Sequence, residues 1–89
     1  MESVDWQLMR LPNMIRKINN VFLTEKKASL KTEDIITQIE FMGYSSNNIE
    51  NDLERLIQNS NNWLTSAGGR IKRNSNMDIN HVLNMFKIK

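Results

Sequence analysis

Gly68 and Gly69 stand side by side between two short runs that hold Trp63, Leu64 and Ile71, and this pair restricts the fold of the chain more than any other feature. Adjacent glycines suit the tight turn of a two-stranded hairpin, whose central residues take positive φ. Elsewhere the apolar residues recur at helical spacing. The hairpin therefore has to be accommodated within an otherwise helical chain.

Leu11, Ile15, Ile18 and Phe22 fall at spacings of four, three and four, with Met14 and Val21 widening the stripe, which predicts an amphipathic helix with Pro12 in its first turn. Before it, Ser3 is a candidate cap for a short helix carrying Val4, Leu8 and Leu11, and Pro12 predicts a break. Residues 1–11 are read as an N-terminal extension or short helix and residues 12–89 as one domain. Trp6 and Met9 are the less constrained positions of that extension. Ala28, Ser29 and Leu30 read as a brief extended link.

Thr32 then caps a second helix with Glu33 and Asp34 in its first turn, an apolar stripe of Ile35, Ile36, Ile39 and Met42, and Gly43 as its stop. A third helix, capped at Ser46 or Asn47, turns Ile49, Leu53, Leu56 and Ile57 inward. After the hairpin, Ile79, Val82, Leu83 and Phe86 predict a last helix running nearly to the end. Helix, extended link, helix, helix, hairpin, helix is the element order of a winged-helix domain, mainly α with a small β-hairpin. A helical bundle with an incidental hairpin is the alternative.

With 89 residues, one domain burying roughly 60–65% of its unfolded surface is expected. Apolar residues at 39% and charged residues at 25% predict a packed core rather than disorder. No cysteine is present, which excludes disulfides, thiolate nucleophiles and cysteine-ligated zinc and permits a reducing compartment. Without a long apolar run or a signal-like start, the expectation is a soluble, intracellular chain with no membrane partner. One histidine and no glycine-rich phosphate loop leave nothing resembling an active site or a cofactor site, so no enzyme and no cofactor are expected. Met77, His81 and Met85, four residues apart, form a stripe away from the predicted core face that suits packing or an interface better than a metal.

A net charge of +2 does not by itself point to nucleic acid. The third helix presents Asn47, Asn51, Glu54, Arg55 and Gln58 outward, and Glu50, Asp52 and Glu54 make it acidic where a DNA-reading helix would approach phosphates. Cations group elsewhere. Arg70, Lys72 and Arg73 lie on the second hairpin strand and are candidate contacts for weak, sequence-blind DNA binding. Arg10, Arg16, Lys17, Lys26, Lys27 and Lys31 surround the first long helix, whose outer face also carries Asn13 and Asn20 and suits an acidic protein. Trp63 is expected to anchor the hairpin against the helices.

The motifs "RLP" (Arg10 to Pro12), Arg16, "VF" (Val21, Phe22), "EKK" (Glu25 to Lys27), "ASL" (Ala28 to Leu30) and "NWL" (Asn62 to Leu64) together resemble the C-terminal winged-helix domain of the eukaryotic replication licensing factor, the MCM helicase loader of the Cdt family. The resemblance spans about residues 10–64. It departs in "NSNN" before Trp63, where that family has a leucine and a Pro-Asp pair, and in a short wing. It implies a non-catalytic, monomeric domain that binds MCM subunits during loading at origins, in the nucleus and also the cytoplasm. Arg16, Glu25, Lys26 and Lys27 match the family pattern and are the implied partner-binding residues, joined by Lys17 from helical geometry alone.

Overall fold

The structure, a computed structural model, describes residues 6–86 apart from the side chains of Gln7 and Leu8. A π-helical turn, Trp6–Arg10, runs into α1 (Leu11–Glu25), followed by β1 (Ser29–Lys31), α2 (Thr32–Phe41), α3 (Ile49–Asn59), β2 (Leu64–Ala67), β3 (Arg70–Arg73) and α4 (Ile79–Met85). The strands form one antiparallel sheet in the order β1-β3-β2. This is a mainly helical, winged-helix-like arrangement, and the hairpin is its wing.

Pro12 does not break the chain. It has no N–H to give to the preceding turn, and the backbone responds with the wider π-helical turn, leaving Pro12 at the start of α1. Trp6, expected to be loosely constrained, is only 6% exposed and belongs to the core. The proposed cap Ser3 and its partner Val4 lie outside the described residues.

The extended link is a strand. Leu30 is buried opposite Ile71, and the Arg73 amide donates to the Ala28 carbonyl at 2.9 Å. The chain reaches this strand because Lys26, at φ 56°, closes α1 in the left-handed region, its amide donating to the Phe22 carbonyl. Thr32 is not the cap of α2 but its first residue. Lys31 occupies the capping position without a side-chain bond, and the Thr32 amide is satisfied by the Gly69 carbonyl at 3.0 Å, so the wing turn does what a capping side chain would. At α3 the cap is Asn48 rather than Ser46 or Asn47: its Oδ1 accepts the Asn51 amide, while Ser46 Oγ accepts the Asn48 amide one step earlier.

The core joins Leu11, Met14, Ile15, Ile18, Val21 and Phe22 of α1 to Ile35 and Ile39 of α2, Leu53 and Leu56 of α3, and Val82 of α4. Trp63, fully buried, brings the wing onto this core as anticipated. The polar run before it has a purpose in the backbone: Asn61 and Asn62 take φ 52° and 69°, a left-handed pair that asparagine tolerates. Ser60, also fully buried, accepts the Leu64 amide on its Oγ at 3.1 Å and ties the end of α3 to β2. Gly68 and Gly69 both have positive φ, as a two-residue hairpin turn of this type requires. Met77 and Met85 pack against the core rather than lying on a separate stripe, and only His81 of that trio is exposed.

Candidate interaction surfaces

Helical geometry divides α1 cleanly. With its apolar stripe inward, Asn13, Arg16, Asn20, Leu23 and Thr24 are exposed and Lys17 is half-buried at the edge. Leu23 retains 56% of its surface among these polar neighbours. Arg16 and Lys17 lie on either side of this face. Glu25 and Lys27 do not share it. They line a small cleft of about 140 Å³ with Asp34 and Gln38 of α2, about 13 Å farther along the axis at 1.5 Å per residue. Lys26, in the left-handed cap, is exposed at the end of the helix between Glu25 and Lys27. The five residues drawn from the sequence thus form two neighbourhoods: Arg16 with Lys17, and Glu25 with Lys27.

Arg10, grouped from the sequence with the surface cations of the first helix, belongs to an internal network. Its Nε donates to Asp52 Oδ2 at 3.0 Å and its Nη2 to Oδ1 at 3.4 Å, while the Tyr44 hydroxyl donates to the same Oδ2 at 2.7 Å. Asp52 is only 2% exposed. Burial alone would raise its pKa. The hydrogen bonds from Ser46, Tyr44 and Arg10, with the attraction of the guanidinium, outweigh burial and hold it below the ordinary value. Tyr44 moves the other way, raised first by burial and then by its bond to the carboxylate. The hydrogen bond to Asp52 also raises Arg10. Trp6 sits between two guanidinium groups, Arg10 at 5.7 Å and Arg55 at 5.2 Å from its ring centre.

This network corrects the charge assigned to α3. Asp52 does not face outward, and Arg55 is half-buried against Trp6. The outer face consists of Glu50, Asn51, Glu54 and Gln58, all exposed. It stays acidic with fewer charges. Asp52 could have been placed from spacing, since it lies three residues after Ile49 and four before Leu56, on the buried stripe.

The wing cations also separate. Side chains alternate across a strand, so Arg70 and Lys72 face outward while Ile71 is buried and Arg73 turns toward the helices. The Arg73 guanidinium lies 5.8 Å from the Phe22 ring, and its Nε is shut off from solvent. Arg73 is therefore unlike the other two: it borders a cleft together with Lys72 but lies off the outer face of the sheet. Its place is taken by Lys31 of β1, which pairs directly across from Arg70, while Lys72 stands between Ser29 and Thr65. Arg70 is further held to β1 by hydrogen bonds to the Ser29 Oγ and carbonyl, at 3.0 and 3.1 Å. Lys31, Arg70 and Lys72 thus share the outer face of the sheet. No sequence signal short of strand register joins residue 31 to residues 70 and 72.

Among the described residues no group of three or more histidine, cysteine, aspartate or glutamate side chains is placed to hold a metal, and no helix is long and apolar enough to cross a membrane. Compared with known proteins, the chain matches no family model, no curated protein sequence and no solved structure.

Proposed function

We propose that this chain is a non-catalytic protein-interaction domain of a replication licensing factor, which docks on MCM helicase subunits for their loading at origins in the nucleus. The observation that carries the reading is the outer face of α1, where Arg16 and exposed Leu23, seven residues apart, lie along one side of a polar surface and Lys17 along the other. An exposed leucine on the same side of a helix as a cation fits an acidic polypeptide that adds an apolar contact better than it fits phosphate. The motif resemblance supplies the partner. The carboxylates on the outer face of α3, at the position of a reader helix, weigh on the same side because they repel a phosphate groove. The partner contact is assigned to Arg16 and Lys17, with Glu25, Lys26 and Lys27 extending it along the chain.

The test is association of purified MCM subunits with the wild-type chain and with an Arg16→Glu, Lys17→Glu variant. Reversal of two interface cations should abolish measurable association while the thermal midpoint stays unchanged. Equal association of both chains, or none with either, would sink the reading.

A second reading, DNA binding through the wing, has one observation in its favour: Lys31, Arg70 and Lys72 lie on one face of the sheet with no acidic residue paired between them. It predicts duplex binding whose log–log salt slope falls by about 0.9 for each phosphate contact removed, or roughly 2–3 in the triple alanine variant. Arg73→Ala should leave that slope unchanged. Binding that ignores salt would eliminate this alternative.

A further inference from the structure

A groove of about 720 Å³ runs between α2 and α3 and is closed at one end by the wing, where Ser66 and Gly69 line it. Its floor is apolar, formed by Ile36, Leu53 and Ile57, and its walls carry Glu33 on one side and Glu50 and Glu54 on the other. No lysine, arginine or histidine is among the residues that line it. All three carboxylates are exposed, and Ile36 and Ile57 are only half-buried.

We propose that this groove docks a basic amphipathic helix from another protein. The lining residues run over 32–37 on α2 and 50–58 on α3, so the walls extend for about 8 and 12 Å at 1.5 Å per residue. The longer wall admits roughly two turns of a helix laid along it, with apolar anchors at the i, i+4 and i+7 positions on the floor. The choice of occupant follows from charge. Three carboxylates without a cation disfavour a nucleic acid or an acidic peptide and favour lysine or arginine along the flanks of the apolar stripe. The groove is separate from the α1 face and opposite to it in sign, so the domain offers one surface to an acidic partner and another to a basic one. This goes beyond the helicase contact and does not depend on it.

The probe is a synthetic helix of about 14 residues with leucine at every third and fourth position and lysine between, titrated into the ¹⁵N-labelled chain. Amide shifts are expected at Ile36, Leu53 and Glu54 and not at Arg16 or Asn20. Glu50→Lys with Glu54→Lys should weaken binding at least about tenfold, as loss of flanking charge does in charge-steered complexes. Ser66→Trp, which fills the wing end without altering charge, should weaken it too. The Arg16→Glu, Lys17→Glu variant should bind the peptide as the parent does, so failure here and failure of the helicase contact are read separately. Equal binding of a peptide with glutamate in place of lysine, shifts confined to α1, occupation of the groove by a second copy of the chain, or no shift at all would each overturn the proposal.

Discussion

Helices α1 and α3 each bury one apolar stripe and turn the other side outward, yet their outward faces carry opposite charge. On α1 the exposed residues include Arg16 and Leu23, with Lys17 at the edge; on α3 they are Glu50, Asn51, Glu54 and Gln58. Composition gives the sign of the contrast, with two cations and one acid on α1 against three acids and one cation on α3, but not which residues carry it. α3 contains both Asp52 and Arg55, and both are drawn inward, one by Arg10 and Tyr44, the other by Trp6. The outer face of α3 keeps the net charge of the whole helix only because an acid and a base are withdrawn together, each held by a partner from a distant part of the chain.

The sharpest way to break the comparison is to remove the buried acid. Asp52→Ala leaves the Tyr44 hydroxyl and the Arg10 guanidinium without their shared acceptor, and it should cost about 2–3 kcal/mol in urea unfolding, since a stranded buried polar group carries its full desolvation penalty. Glu54→Ala, two residues along and exposed, should change stability by less than about 0.5 kcal/mol. Similar losses for the two variants would show that Asp52 does not differ from the rim.

Acid and alkali test the same network from its two ends. The Asp52 pKa is lowered in the folded state, so its contribution is fully present above the ordinary value of 3.8 and is lost as pH falls through the folded value. Tyr44 is raised above its ordinary 10.0, so its contribution holds below that pH and is lost as pH rises through the folded value. Unfolding free energy should therefore decline below about pH 4 and above about pH 10, and Asp52→Asn should flatten the acid limb. An acid limb unchanged in that variant would assign the titration to other carboxylates.

The smallest effect concerns the end of α1. Lys26 holds φ 56° in the left-handed region, where a side chain costs about 1 kcal/mol relative to glycine. Lys26→Gly should raise the unfolding free energy by about that amount, and by removing one cation from the extended part of the contact it should weaken helicase association far less than reversal of Arg16 and Lys17. A loss of helicase association as large as that of the Arg16, Lys17 reversal would move the centre of the surface to the end of the helix.

Much of the architecture was legible along the chain. The stripe from Leu11 to Phe22 and the inward residues of α2 and α3 followed from 3.6-residue periodicity, and the wing turn followed from the positive φ that paired glycines accept. What escaped was set at a distance. β1 is three residues long and pairs with β3 some 40 positions later, so its extended backbone was readable at Ala28 to Leu30 while its pairing was not. The side chain of Thr32 suits a cap, whereas in the fold Thr32 opens the helix and the Gly69 carbonyl answers its amide.

The order of residues by itself determined which side of each helix is greasy, where the hairpin turns and that no cysteine chemistry is available, because these depend on side-chain type and local spacing. Only the tertiary structure decided which charges remain at the surface. Arg10 and Asp52 meet across 42 positions, Arg73 turns in beside Phe22, and Lys31 joins Arg70 and Lys72 on one sheet face. The physical reason is that a charge is held by the partner it finds in space, and that partner is not encoded by its neighbours in sequence even where, as at Asp52, spacing marks a buried stripe.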